Sequence, residues 1–140
     1  MVFDNINYAY NDGASTYQIT YKGYNFIGIA ECHNDDMDFA SERVGLTIAE
    51  ARAVIKVLRF IRDCEMQPQL NVLKHLYSNI ETSHFHNPKS HESRRIRSQI
   101  RAIEREIKSL NNTIEDEKNF IKDYINGKDK LYRKLRAKNN

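Results

Sequence analysis

The 140-residue sequence contains few residues that interrupt secondary structure or form cross-links, with two prolines, five glycines and two cysteines. It contains no tryptophan. So little proline and glycine argues against a sandwich of many short strands. Cys32 and Cys64 stand alone, without C-x-x-C spacing, so we expect buried thiols and not a disulfide. No apolar run approaches the roughly 18 residues of a membrane span, and no signal peptide is visible. We therefore expect a cytoplasmic protein without a membrane segment.

Charge is plentiful, and it is divided unevenly along the chain. Residues 1–87 carry 7 basic and 11 acidic side chains, a net charge of −4, whereas residues 88–140 carry 15 and 8, a net charge of +7. We expect residues 1–87 to form a folded head and residues 88–140 to form a helical segment. The positive charge of that segment favours an anionic partner or an acid-to-base contact with another protomer.

A β-hairpin is predicted in residues 15–32, which read STYQITYKGYNFIGIAEC. Apolar and polar residues alternate from 17 to 21, as in a half-buried strand, and Lys22-Gly23 supplies a turn. An isolated hairpin is only marginally stable in water. We therefore expect it to pack on a helix, to pair with residues 3–10, or to pair with another chain.

Two helices are predicted to follow the hairpin. Thr47 and Glu50 have the spacing of a capping box, which predicts a helix from Thr47 to about Cys64 with an apolar face towards the hairpin. After Pro68 a second helix is predicted, because leucines recur on one face and proline is tolerated in a first turn.

From about Ser90 the sequence is strongly helical. Aliphatic residues recur there at heptad spacing, as in a coiled coil: Ile96, Ile100, Ile103, Ile107, Leu110 and Ile114. The weak helix formers at 111–113 leave two interpretations open, one long helix or two helices folded back as a hairpin, and we favour the hairpin. The apolar seam predicts a homo-oligomer through the C-terminal helices. The alternative is that the seam packs on the head.

These patterns together predict an α+β fold. A small N-terminal β-hairpin or sheet would pack with two helices, and long coiled-coil-like helices would follow at the C-terminus.

A stripe of basic residues shares one face of the predicted C-terminal helix, beside the seam. Its members are Arg94, Arg97, Arg101, Arg105 and Lys108. Arg95 adds a charge at the start of the helix, where free backbone amides favour anions. Arginine binds phosphate with two parallel hydrogen bonds, which lysine does not do. The alternative is a solvated face that is partly paired with Glu104 and Glu106.

The loop before this helix, residues 84–91, contains three histidines and Phe85. A planar base could stack on Phe85, Asn87 could read its edge, and the arginines could hold phosphates. The alternative is a connector in which Asn87 or Ser90 caps the helix.

A second basic stripe lies on the first predicted helix. It comprises Arg52, Lys56, Arg59 and Arg62. These residues form either a solvent-exposed face or the second wall of an anion pocket, and Arg59 is the member that we assign to the candidate site.

No pattern of catalysis or of metal binding is recognised. The histidines at 84, 86 and 91, and His33 with its neighbouring aspartates, do not have a known metal-ligand spacing. The sequence contains no P-loop, no G-x-S-x-G and no G-x-G-x-x-G. We expect a protein that is not an enzyme and that has no catalytic residues, metal or cofactor.

The segment YKGYNFIGIAECHNDDMDFASERVGLTIAEARAVIKVLRFIRD, followed by HFHNPKSHESRRIRSQI and the heptad tail, resembles the phage Thoeris anti-defence proteins. The resemblance covers almost the whole chain. It implies a phage or prophage protein of the host cytoplasm that binds glycocyclic ADP-ribose signals without cleaving them. It also implies a multimer, and binding of cyclic oligonucleotides by some members. The alternative function is a nucleic-acid-binding or protein-binding regulator that acts through the C-terminal helices.

Overall fold

The computed structural model describes residues 3–32, 41–83 and 87–139. The described elements are β1 (Asn5–Asn11), β2 (Ala14–Tyr21), β3 (Tyr24–Glu31), α1 (Glu42–Phe60), a π-helical segment (Ile61–Met66), α2 (Gln67–Glu81) and α3 (His91–Asn139). A three-stranded sheet followed by helices confirms the predicted α+β class. Among the described helices, none is long and apolar enough to cross a membrane.

The chain packs as two compact units. Unit 1 comprises Met1–Leu58 and Ile114–Asn140, and unit 2 comprises Arg59–Thr113. Both α1 and α3 contribute residues to each unit. The boundaries of these packing units differ from the boundary at residue 87 that the charge distribution suggested. The arginine stripe of α3 belongs to unit 2.

The sheet is an antiparallel meander in the order β1-β2-β3. Asp12 and Gly13 join β1 to β2 with φ angles of 49° and 84°, and Lys22 and Gly23 join β2 to β3 with 50° and 81°. Two positive φ angles define the type I′ turn, whose twist matches that of the flanking strands. The predicted hairpin is therefore confirmed, and the structure also pairs it with β1, one of the three predicted ways of completing the sheet.

The sheet lies against α1 at positions that have almost no side chain. A Cβ atom built on Gly28 of β3 would lie 1.9 Å from the carbonyl oxygen of Ala49 and 2.6 Å from the backbone nitrogen of Ala53. Similarly, a Cβ atom on Gly45 would lie 2.0 Å from the hydroxyl oxygen of Ser15 on β2. The contact between sheet and helix thus depends on backbone atoms, and it tolerates no added methyl group.

The core of unit 1 is built from β2, β3, α1 and the part of α3 that belongs to this unit. Its buried apolar residues are Ile19, Ala30, Ala49, Ala51, Ala53, Ile55, Val57, Leu58 and Ile114. Burial of this set is the main stabilisation of the sheet, because a meander of three short strands cannot bury a core by itself.

The predicted start of the first helix at Thr47 is wrong. The helix begins at Glu42, and Ser41 caps it by accepting a hydrogen bond from the backbone N–H of Val44 at 3.4 Å. Thr47 lies inside the helix, where its hydroxyl donates to the carbonyl of Arg43 at 2.6 Å. The spacing of a capping box can also occur within a helix, and here Ser41 supplies the cap.

The predicted break between the first two helices is replaced by the π-helical segment, which connects α1 directly to α2. The backbone N–H of Gln67 donates to the carbonyl of Arg62, five residues earlier. A proline at position 68 cannot donate to the carbonyl four residues before it and clashes with that carbonyl in a regular helix. A wider turn before Pro68 accommodates this proline without ending the helix.

The preferred helical hairpin at the C-terminus is also wrong, because His91–Asn139 forms a single helix. The residues at 111–113 cost about 0.5–0.7 kcal/mol each relative to alanine, which is too little to break a long helix. Their side chains also have partners that suit a helix. The Thr113 hydroxyl donates to the carbonyl of Ser109 at 3.0 Å, and Asn111 accepts a hydrogen bond from Arg62 at 2.9 Å.

Candidate functional site

Ser90 positions the start of α3. Its hydroxyl accepts a hydrogen bond from the backbone N–H of Ser93 at 3.2 Å. Its carbonyl accepts a hydrogen bond from the backbone N–H of Arg94 at 3.0 Å. Of the two predicted caps, Ser90 is therefore the one used. The positive end of the α3 dipole and the arginine stripe begin at the same turn.

Asn87 shapes the loop before the cap. Its side-chain oxygen accepts a hydrogen bond from the backbone N–H of Lys89 at 3.0 Å. Its backbone carbonyl accepts a hydrogen bond from the backbone N–H of Ser90 at 3.0 Å. The side-chain oxygen of Asn87 thus has one hydrogen bond within the loop, and its second lone pair and its NH2 group stay available to a ligand. The role predicted for Asn87 stays a prediction.

Phe85 and the histidines at 84 and 86 lie outside the described residues, as do His33 and the aspartates that follow it. Stacking of a base on Phe85 stays a prediction. Within the described ranges, no group of three or more histidine, cysteine, aspartate or glutamate side chains is placed to hold a metal ion.

Arg97 is already engaged within the protein. Its guanidinium donates to the carbonyl of Pro88, and its side chain is half-buried. Arg97 thus connects the loop to the first turns of α3 through a hydrogen bond, and its remaining N–H groups are the ones available to other partners. We regard it as a residue that holds the loop in place.

The other members of the stripe are exposed. In the described part of the chain, neither Arg101 nor Arg105 forms an ion pair with Glu104 or Glu106. Arg94, Arg95 and Lys108 also form no ion pair with any residue in the described ranges. From the first of these residues to the last, the stripe extends about 21 Å along the helix at 1.5 Å per residue. Within the described residues, the exposed cations of the stripe form no ion pair.

The second basic stripe is divided by the fold. Arg52 donates to the carbonyl of Ile29 at 2.6 Å, and Lys56 donates to the carbonyl of Ile27 at 2.5 Å. In the register of the hairpin these carbonyls point away from β2, so the two cations cover the open edge of β3. Both cations are therefore engaged with the backbone of β3.

Arg62, by contrast, contacts α3. Its Nη1 donates to the side chain of Asn111, while its Nε and Nη2 donate to Asp63 at 2.8 and 3.2 Å. The hydrogen bonds from Arg62 to Asp63 lower the pKa of Asp63 below its ordinary value. Burial opposes this effect, and the charges of Arg62 and Arg59 add to it. Asn111 follows Lys108 by one helical turn and lines with it a cleft of about 240 Å³. Arg59 is exposed and forms no hydrogen bond or ion pair with the described part of the chain.

Unit 1 contains a cavity that the sequence did not indicate. It has a volume of about 200 Å³ and is lined by the end of β3, the first turns of α1 and the distal part of α3, among other residues. Burial raises the pKa of the Cys32 thiol. Burial, followed by the charges of Cys32, Tyr124 and Asp129, raises the pKa of the Tyr132 phenol. No local motif could have signalled this site, because its residues come from three separate elements.

Comparison of the chain with protein-family models, with curated proteins and with solved structures found no match.

Proposed function

We propose that this protein binds and sequesters a cyclic ADP-ribose-type signalling nucleotide without cleaving it, as a phage anti-defence protein of the Thoeris type. The observation that carries the proposal is that Arg94, Arg101 and Arg105 lie on one face of α3 just after the Ser90 cap, are exposed, and form no ion pair within the described residues. The resemblance of the sequence to the Thoeris anti-defence proteins supports the choice of ligand.

The spacing of the arginines suits a diphosphate. Residues three or four apart on a helix have Cβ atoms about 5–6 Å apart, so the long side chains of Arg101 and Arg105 can converge on two adjacent phosphates. Each guanidinium can form two parallel hydrogen bonds to phosphate oxygens. Because both side chains are exposed and unpaired, they can turn towards a ligand without breaking an existing ion pair.

The rest of the ligand would be held by the loop and by its neighbours. Phe85 would stack on the base, the NH2 group of Asn87 would donate to its edge, and Arg97 would keep the loop in position through Pro88. Arg94, Arg95 and Arg59 would add positive potential around the phosphates. No side chain is assigned a catalytic role.

Calorimetric titration of cyclic ADP-ribose tests the assignment. Arg101→Ala and Arg105→Ala should each weaken binding by about 1.5–3 kcal/mol, because a charged hydrogen bond is lost. Arg101→Lys should restore only part of the loss, since lysine restores the charge but not the paired hydrogen bonds.

Arg133→Ala is the matched control, since Arg133 is an exposed arginine of the same helix but belongs to unit 1. It should leave the affinity unchanged. If Arg133→Ala and Arg101→Ala weaken binding equally, and affinity falls steeply with salt, the stripe acts as a diffuse polyanion-binding surface. The alternative, a nucleic-acid-binding regulator, would then replace the nucleotide proposal.

We further propose that the protein self-associates through unit 2. There α2 and α3 line a largely apolar groove that includes Leu73 and Ile103, and Val72 and Leu76 of α2 are 59% and 46% exposed. A second copy would bury these side chains. The double substitution Val72→Asp and Leu76→Asp should leave the circular dichroism spectrum unchanged and lower the mass measured by light scattering. An unchanged mass would contradict self-association through this face.

A further inference from the structure

The two edges of the sheet in unit 1 differ in how they are protected. At the β3 edge, Arg52 and Lys56 donate to outward-facing backbone carbonyls. Charged side chains at an edge hinder the addition of another strand. At the opposite edge β1 reads NINYAYN, without a charged residue or a proline. Its register with β2 is continuous and contains no bulge. The β1 edge therefore lacks the features by which proteins usually prevent strand addition.

The register shows which backbone groups of β1 face outwards. A two-residue hairpin turn closes on a pair that exchanges both backbone hydrogen bonds, and here that pair is Asn11 and Ala14. Hydrogen-bonded pairs then alternate along the ladder, so the N–H and C=O groups of Ile6, Tyr8 and Tyr10 point away from β2. The same alternation on β3 gives the outward-facing carbonyls that the two cations contact.

Most of these outward-facing groups have no protein partner in the described part of the chain. The N–H of Ile6 donates to the side-chain oxygen of Asn5 at 2.9 Å. The carbonyl of Ile6 and both backbone groups of Tyr8 and Tyr10 form no hydrogen bond with any described residue. A row of such groups is a template on which another strand can pair.

The sequence of β1 is suited to pairing with a second copy of itself. If two β1 strands run antiparallel with Tyr8 opposite Tyr8, then Ile6 of each copy lies opposite Tyr10 of the other. Each of these pairs joins residues whose backbone groups face outwards, so the two strands can exchange about six hydrogen bonds. The central pair is aromatic and the flanking pairs are apolar with aromatic, which are favourable cross-strand combinations. No charge within either strand opposes the contact.

The exposure of the side chains also favours an added strand. Tyr8 is 64% exposed and Ile6 is 44% exposed, although both lie on the face of the sheet that carries the buried residue Ile19. The ring of Tyr8 stacks on that of Tyr17, with centroids 6.3 Å apart, and is therefore already ordered. A neighbouring strand would cover these two side chains at the edge of the sheet.

We propose that β1 is an interaction surface for β1 of a second copy, paired antiparallel about a two-fold axis at Tyr8. The contact is isologous, since the same strand is used by both copies, and it joins the two sheets into one. Asp4 and Asp12 flank the strand and limit the pairing to it. The surface belongs to unit 1, whereas the arginine stripe and the apolar groove belong to unit 2. The proposal therefore does not require the nucleotide proposal to hold.

A disulfide that can form only in this register tests the proposal. Asn7 would lie opposite Ala9 of the second copy, in a pair without hydrogen bonds whose Cα atoms are about 4.5 Å apart, which suits a disulfide. Both residues are exposed. The full chain with Cys64→Ser, which removes the exposed thiol, carries Asn7→Cys in one preparation and Ala9→Cys in another. After mild oxidation, mass spectrometry should find at least tenfold more linked dimer in the mixture than in either preparation alone. Identical positions would lie about 7–8 Å apart on a diagonal, too far for a disulfide.

Two lysine substitutions, added to both preparations, show whether the edge itself is responsible. Tyr8→Lys should lower the cross-linking at least fivefold, because two lysines would face each other at the axis. Tyr24→Lys is the matched control, since Tyr24 is a 58% exposed tyrosine at the start of β3, and it should cross-link as the parent does. Circular dichroism shows whether each variant is folded.

Three results would overturn the proposal. The first is a mixture that cross-links no more than the separate preparations, which would also be the result if the edge serves a different protein. The second is a folded Tyr8→Lys variant that cross-links as the parent does. The third is a folded Tyr24→Lys variant that loses cross-linking to the same extent as Tyr8→Lys.

Discussion

Replacement of Gly28 by alanine tests the contact between sheet and helix on which unit 1 depends. The new methyl carbon would lie 1.9 Å from the carbonyl oxygen of Ala49 and 2.6 Å from the backbone nitrogen of Ala53. Both contacts are shorter than real Cβ atoms show, and both partners are backbone atoms that cannot rotate away. The strand and α1 must therefore move apart, which loosens the packing around them.

Overpacking of a core costs about 1–3 kcal/mol, and a clash with two backbone atoms should lie at the upper end, about 3 kcal/mol. In a chain of this size such a loss lowers the melting temperature by roughly 10 °C. Thermal and urea unfolding followed by circular dichroism measure it.

Gly127→Ala is the control for this substitution. Gly127 lies in α3 with no atom within 4 Å of an added Cβ, so alanine should raise the stability by about 0.5–1 kcal/mol. If Gly28→Ala is as stable as the wild type, β3 does not approach α1 as closely as described.

Two pH-dependent effects are also expected. Burial raises the pKa of Cys32 and of Tyr132, so these groups stabilise the fold below their ordinary pKa values and the stabilisation is lost as the pH rises through the raised values. The melting temperature should thus fall above about pH 8.5, and Tyr132→Phe should flatten the part of the fall near and above pH 10. A melting temperature that is constant from pH 8 to pH 11 would contradict this. The pair of Arg62 and Asp63 acts at the acidic end: it stabilises above the ordinary pKa of aspartate, about 4, and is lost as the pH falls through the lowered value. Since Asp63 is 60% exposed, Asp63→Asn should cost no more than about 1 kcal/mol at pH 7 in urea unfolding, and a larger loss would indicate a buried role.

The sequence predicted those features that are determined locally. A turn of Lys22-Gly23 between alternating strands forms a hairpin because two positive φ angles suit these residues and fix the register. The spacing of the arginines likewise places them on one face of any helix. The Ser90 cap follows from a short-range hydrogen bond that the sequence also suggested.

Features that depend on distant parts of the chain could not be predicted in this way. Arg52 covers the edge of β3, which only the packing of α1 on the sheet brings within reach. Arg97 binds the carbonyl of Pro88, which depends on the path of the loop. The continuity of α3 through residues 111–113 also gains from Arg62, which lies far away in the sequence. Local propensity therefore indicated a break where a side-chain contact supports the helix.

We propose that the protein captures a nucleotide signal and does not convert it. The most direct measurement mixes the full chain with an equimolar amount of cyclic ADP-ribose, removes free ligand by rapid gel filtration, denatures the protein and chromatographs the supernatant. We expect the ligand to co-elute with the wild-type protein and to be recovered intact. The double variant Arg101→Ala and Arg105→Ala should not retain it. Recovery of a linear or hydrolysed product, or elution of the wild-type protein without ligand, would contradict capture without conversion.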